Sequence, residues 1–109
     1  DYITVHVPLL DSTRGLFSTA QFARMKRNAI FINTARGEVV DEPALIAALQ
    51  KGEIAGAGLD VYEAEPPNHP ELLTLDNVVL CPHIGAATRE ALNRMTVQAA
   101  EMIIDALKD

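Results

Sequence analysis

Short apolar runs bounded by proline, glycine or charged residues alternate along the chain with stretches in which apolar residues return every three or four positions. The first rhythm is that of strands, the second that of helices. Asp1 to Pro8 is β-rich, and Pro8 closes the run because it has no N–H to give to a ladder. Ser18 with Gln21 three residues on is a capping-box pair, and Phe22 and Met25 supply the apolar face of one short helix ending near Asn28. Ala29-Ile30-Phe31-Ile32-Asn33 is then apolar with little alternation, as expected of a parallel strand covered on both faces. Asp41 reads as the N-cap of a second helix, with Pro43 in its first turn, Leu45, Ile46 and Leu49 as its stripe, and Lys51-Gly52 as its stop.

Ala55 to Val61 predicts a third strand, weak in propensity, whose glycines allow close approach of backbone or ligand. The proline-rich, acidic stretch from Tyr62 to Asn77 reads as loop, and Val78 to Cys81 as a last short strand stopped by Pro82. Leu92, Met95, Ala99, Ile103 and Leu107 recur at helical spacing, with Arg94, Glu101 and Lys108 on other faces, so one long helix ends the chain. The order β-α-β-α-β-loop-β-α predicts an α/β fold: an open parallel sheet of about four strands with flanking helices. No internal repeat or linker interrupts it, and 109 residues make one small domain.

Composition narrows the partners. The chain is 49% hydrophobic and 22% charged, ordinary for a globular domain with a modest core. Nine basic residues against fifteen acidic ones give a net charge of −6, which argues against nucleic acid or an anionic membrane as the main partner. No apolar run approaches a membrane span and none reads as a signal peptide. One cysteine, Cys81, cannot form an internal disulfide and reads as a small core residue; a cytoplasmic protein is expected. The three histidines and the cysteine are scattered without ligand spacing, so no metal site is expected.

Ligands of open parallel sheets sit at the carboxyl ends of the strands. His6-Val7-Pro8, Asn33 to Gly37, Asp60 with Glu65, and Pro82 to Gly85 follow the four strands in turn. Arg36, between Ala35 and Gly37, offers a planar guanidinium to a carboxylate, its alternative being a surface pair with Glu38 or Asp41. His83, between Pro82 and Ile84, is an acid–base group or a structural histidine, since imidazole titrates near neutral pH. Glu65, before Pro66-Pro67, is a carboxylate partner for it or a solvated charge. Asp60 is an acceptor for a cofactor amide or a turn-forming aspartate, His6 a pocket wall or a structural hydrogen bonder, and His69 a solvated loop residue. An arginine, a carboxylate and a histidine leaving neighbouring strand ends form the layout of a site that binds and reduces an α-oxo acid. The arginine would hold the substrate carboxylate, the histidine would move the hydroxyl proton, and the acid would orient the imidazole.

These stretches resemble the D-isomer-specific 2-hydroxyacid dehydrogenases, a family that includes phosphoglycerate dehydrogenase and glyoxylate/hydroxypyruvate reductase. The likeness runs through His6-Val7-Pro8-Leu9, Phe31 to Asp41, Ala57 to Tyr62 with Glu65-Pro66, and Asn77 to Leu80 with Pro82-His83-Ile84-Gly85. It implies a Rossmann-type fold and the interconversion of a D-2-hydroxy acid with its 2-oxo acid using NAD or NADP, NAD favoured. By that resemblance Arg36, Glu65 and His83 are the catalytic set. Val7, Thr34, Ala35, Arg36, Asp60, His83 and Gly85 match positions lining the nicotinamide half of the cofactor site, with Asp60 at the carboxamide.

The departures concern absent parts. The sequence holds no G-x-G-x-x-G strand-turn-helix, hence no pyrophosphate cradle and no acid for the adenosine ribose. The chain is therefore expected to be the C-terminal half of a dinucleotide-binding domain, without the family's substrate domain and with little turnover of its own. A missing neighbour strand would leave a parallel edge exposed, and a homo-oligomer covering it is expected. Two other readings remain open: a self-assembling half-domain without turnover, and a dinucleotide-sensing binding module like the dehydrogenase-like corepressors.

Overall fold

The computed structural model describes residues 1–108, in the order β1 (Tyr2–Val5), α1 (Thr19–Phe22), β2 (Ile30–Asn33), α2 (Glu42–Gln50), β3 (Gly56–Leu59), β4 (Val78–Leu80) and α3 (Arg89–Ala106). Short 3-10 turns at Gly37–Val39 and Leu72–Thr74 punctuate the connections. All three strand pairings are parallel and the strand order is β1-β2-β3-β4, the open parallel sheet expected of the sequence. The register sets Val5 beside Asn33, Asn33 beside Leu59, and Leu59 beside Leu80. Four strands thus end in one row, and His6, Thr34, Asp60 and Cys81 step off it at the same level.

The core gathers Phe22 of α1, Phe31 of β2, and Leu45, Ala48 and Leu49 of α2, closed by Ile54 and Leu72. Phe31 sits between two rings, 5.0 Å from Phe17 and 5.3 Å, edge-on, from Phe22. Such edge-to-face packing adds to the burial of each ring. α2 begins as its sequence demands: the Asp41 side chain accepts the Ala44 N–H at 3.0 Å, and Gly52, with φ of +65°, follows its last turn.

Two expectations need correction. β2 is not covered on both faces: Phe31 and Asn33 are buried but Ile30 and Ile32 are only half-buried. Side chains alternate across a strand, and the cluster of α1 and α2 residues covers the Phe31 face alone. α1 stops at Phe22 rather than near Asn28, because Met25 and Ala29 bond three residues back, to Phe22 and Lys26, in turns that deliver the chain to β2. α3 forms at the expected place, capped by Thr88, whose side chain accepts the Ala91 N–H. None of its residues is buried, so its apolar stripe packs on no described part of the sheet.

Candidate active site

The row of strand ends is held by hydrogen bonds from buried polar side chains. Asn33, the last residue of β2 and 1% exposed, accepts the Ala35 N–H through Oδ1 at 3.0 Å and donates through Nδ2 to the Arg36 carbonyl at 2.9 Å. This closes a turn over Thr34, Ala35 and Arg36. Gly37 then passes so close to the next loop that a Cβ on it would lie 1.9 Å from the Tyr62 carbonyl. Only glycine fits there, and the Arg36 turn is thereby locked against the segment that leads to Glu65.

Arg36 is exposed, and its Nη1 donates to the Ala35 carbonyl at 2.7 Å. Among the described residues it pairs with no acid, so the expected alternative of an ion pair with Glu38 or Asp41 is not realised. A guanidinium carries five N–H donors, and most of these remain for a ligand. Arg36 lines an open groove of about 600 Å³ with His6, Val7, Pro8, Leu9, Thr34 and Ala35. Four of the seven expected cofactor positions, Val7, Thr34, Ala35 and Arg36, therefore share one wall. His6 folds back onto its own strand, with Nε2 2.8 Å from the Thr4 hydroxyl.

Asp60, at the end of β3 and 7% exposed, accepts the Ile84 N–H through Oδ1 at 2.9 Å and the Gly85 N–H through Oδ2 at 2.7 Å. Both carboxylate oxygens thus hold the turn after β4. A Cβ on Gly85 would lie 2.9 Å from Asp60 Oδ2, so the residue type at 85 allows this approach. His83, in the same turn, has φ of +55°, a left-handed conformation uncommon for a residue with a side chain. The two bonds from Asp60 fall on the residues that follow it and keep it there.

His83 Nδ1 donates to Glu65 Oε2 at 2.7 Å. The other oxygen, Oε1, accepts the Tyr62 N–H at 3.3 Å. The imidazole, principally, with help from that N–H, holds the Glu65 carboxyl below the usual carboxylate range despite the opposing effect of burial. With Nδ1 committed to the carboxylate, Nε2 is the ring nitrogen free to exchange a proton. Tyr62, Pro66, Pro67 and Pro82 surround the pair in a largely apolar hollow of about 250 Å³. Tyr62 also ties the floor of this hollow: its hydroxyl donates to the Cys81 carbonyl at 2.6 Å, and burial pushes the phenol above its ordinary range. Cys81 itself is half-buried.

The structure joins Glu65 to His83 directly and places Asp60 and Gly85 beneath the same turn. Arg36 follows β2 and His83 follows β4, two strands apart in the sheet. Asn33 and Tyr62 escaped the sequence reading. An asparagine ending a strand before a Thr-Ala-Arg-Gly turn is a legible signal; a tyrosine bridging two strand ends is not. His69, expected in solvent, is half-buried against Glu42.

An arginine and a carboxylate-held imidazole thus stand on the carboxyl edge of an open parallel α/β sheet. The chain belongs to the D-isomer specific 2-hydroxyacid dehydrogenase family, whose NAD binding domain model matches residues 1–85. It is 56% identical over 109 residues to glyoxylate/hydroxypyruvate reductase B of Citrobacter koseri, covering 99% of this chain and 34% of that protein. The crystal structure of a glyoxylate reductase from Paecilomyes thermophila superposes with a TM-score of 0.94 at 38% identity, over 100% of this chain and 33% of that one. An NADPH-dependent glyoxylate/hydroxypyruvate reductase from Sinorhizobium meliloti, in complex with NADP and malonate, gives 0.84 at 42% identity, over 87% of this chain and 30% of that one. The chain thus spans about a third of the length of the curated relatives it matches.

Proposed function

We propose that this chain supplies the acid–base and nicotinamide-facing half of an NAD- or NADP-dependent reductase that interconverts a small 2-oxo acid with its D-2-hydroxy acid. The observation that carries the reading is the 2.7 Å bond between His83 Nδ1 and Glu65 Oε2 at the strand ends. Glyoxylate and hydroxypyruvate are the favoured substrates, in line with what the relatives are named for. NAD and NADP both stand, the first from the family's domain description and the second from the Sinorhizobium complex.

The groove along His6 to Leu9 and Thr34 to Arg36 fits the nicotinamide end of such a cofactor: it is open, sits at the strand ends, and sets the small Val7, Pro8, Thr34 and Ala35 beside the longer Arg36. Val7, Thr34, Ala35 and Arg36 would line it, while His83 and Gly85 stand farther along the strand-end row in the turn that Asp60 holds from beneath. The cofactor, when bound, supplies or accepts the hydride. Arg36 holds the substrate carboxylate through two parallel N–H bonds and fixes the carbonyl carbon in place. His83 gives its Nε2 proton to the carbonyl oxygen in reduction and takes it back in oxidation. Glu65 keeps the ring in one orientation and balances its charge when protonated.

The test is a chimaera in which these residues replace the corresponding segment of the Citrobacter koseri reductase. It should oxidise NADH or NADPH with glyoxylate or hydroxypyruvate. His83→Ala should lower kcat by about 100-fold or more, while Arg36→Ala should act mainly on KM. A folded chimaera that binds cofactor but reduces neither acid would overturn the assignment.

A second copy of the chain is the proposed cover for the β1 edge, where Tyr2 is 78% exposed, and for the apolar residues of α3, among them Met102 and Leu107. No described helix is long and apolar enough to cross a membrane, and a cytoplasmic setting without nucleic-acid partners is proposed with it.

A further inference from the structure

Glu42, the first residue of α2, has no part in the chemistry above. The residue is nevertheless only 2% exposed. Its Oε1 accepts the N–H of Glu63, and Glu63 Oε1 returns the bond by accepting the N–H of Glu42 at 3.0 Å. Its Oε2 is buried, has no hydrogen-bond partner, and points to His69 Nε2 at 3.8 Å. One carboxylate therefore meets the proline-rich loop at residues 63 and 69. Glu65 lies between those two anchors.

A carboxylate is costly to bury, and where it is buried it is normally paired or hydrogen-bonded. Burial does push the Glu42 carboxyl up, with the Glu63 N–H and His69 acting in the opposite sense. Such a group is poorly explained as a helix cap, because Asp41 already caps α2. It is well explained as a clasp between the helix and the loop.

We propose that Glu42 is a positioning residue: from the first turn of α2 its buried carboxylate holds the chain on both sides of Glu65, at Glu63 and His69, and so fixes the carboxylate that orients His83. This rests on the acid–base reading of Glu65 and His83. Tyr62 N–H, which donates to Glu65, immediately precedes Glu63, so a shift of the clasp is passed to the Glu65 carboxylate through one peptide.

The experiment follows the Glu65 carboxyl carbon and the His83 ring nitrogens by NMR through an acid titration of the 109-residue chain. Glu42→Gln keeps an acceptor for the Glu63 N–H but removes the charge facing His69, and His69→Gln removes the other partner. In both variants the Glu65 midpoint should move up toward the ordinary carboxylate value and the His83 Nδ1 signal should shift. Ile54→Val, a fully buried core change outside the clasp residues, should leave both signals where they are. Folded variants with wild-type Glu65 and His83 signals overturn the proposal; if Glu42→Gln does not fold, His69→Gln decides. Zinc chloride raising the melting temperature of the wild type but not of His69→Gln would make the cluster of Glu42, Glu63 and His69 a cation site, and would also overturn it. None of these readouts needs turnover, so a chimaera that fails to reduce glyoxylate would count against the enzymatic reading and leave the clasp standing.

Discussion

Asp60 holds Gly85 from below at 2.7 Å, through an oxygen that leaves no room for a side chain at position 85. With the companion bond to Ile84, this contact fixes the turn in which His83 adopts its left-handed backbone. A buried carboxylate bonded to two N–H groups stabilises more than a neutral pair would. Asp60→Ala should cost about 2–3 kcal/mol in urea unfolding, and hydrogen exchange at the amides of 84 and 85 should accelerate by more than the global loss of stability explains.

Gly37→Ala should be among the most damaging single changes in the chain. Its methyl group would land 1.9 Å from the Tyr62 backbone, which is held by the Glu65 and Cys81 contacts and cannot step aside cheaply. Overpacking of this kind costs about 1–3 kcal/mol. Thermal unfolding measures it, and a melting temperature equal to wild type would show that the Arg36 turn and the Tyr62 loop are not locked together.

Tyr62→Phe removes the hydroxyl that serves the Cys81 carbonyl and leaves that carbonyl without its partner. A loss of about 1–2 kcal/mol is expected from chemical denaturation. Ultraviolet titration of the wild type should show one phenol ionising above the ordinary range, absent in the variant.

The Glu65–His83 bond predicts a pH dependence with a definite sign. The folded Glu65 carboxyl lies below its ordinary value of 4.5, so its contribution is complete above about pH 4.5 and is lost as pH falls through the folded midpoint. Wild type and Glu65→Gln should therefore differ in melting temperature near neutrality and converge in acid. The Glu65 side chain is 39% exposed, and water screening keeps the difference small. Glu42 has the opposite sign: its carboxyl is raised, so burying it ionised costs stability above its folded midpoint, and that cost is relieved as pH falls. Stability of the wild type relative to Glu42→Gln should improve on acidification.

Self-association is expected to raise the light-scattering mass above 11.8 kDa as concentration increases. Tyr2→Lys at the β1 edge, where charge opposes strand pairing, should reduce it. A single mass of one chain across the concentration range contradicts the proposed cover.

Much of the fold was legible from periodicity alone. The run from Ala29 to Asn33 pointed to a parallel strand, and Asp41, Pro43 and Gly52 bounded α2 nearly to the residue. The coverage of β2 was not legible, because apolar residues such as Ile30 and Ile32 look the same in sequence whether a helix lies over them or not. α3 makes the same point: its stripe is real, but a stripe does not name what it faces. At the site, Arg36, Glu65 and His83 stand out by neighbourhood, as polar groups just beyond apolar strands. The clasp of Glu42 with Glu63 and His69 was hidden, since bonds across 21 residues of chain depend on how α2 and the loop meet in space.

The central claim is that the strand-end groove is the nicotinamide half of a dehydrogenase site, and NADH titration of the isotope-labelled 109-residue chain tests it most directly. Saturable shifts concentrated at the amides of Val7, Thr34, Ala35, Arg36, Asp60 and Gly85 are predicted. A folded chain whose amides do not respond to NADH, or respond only along α3, would contradict it.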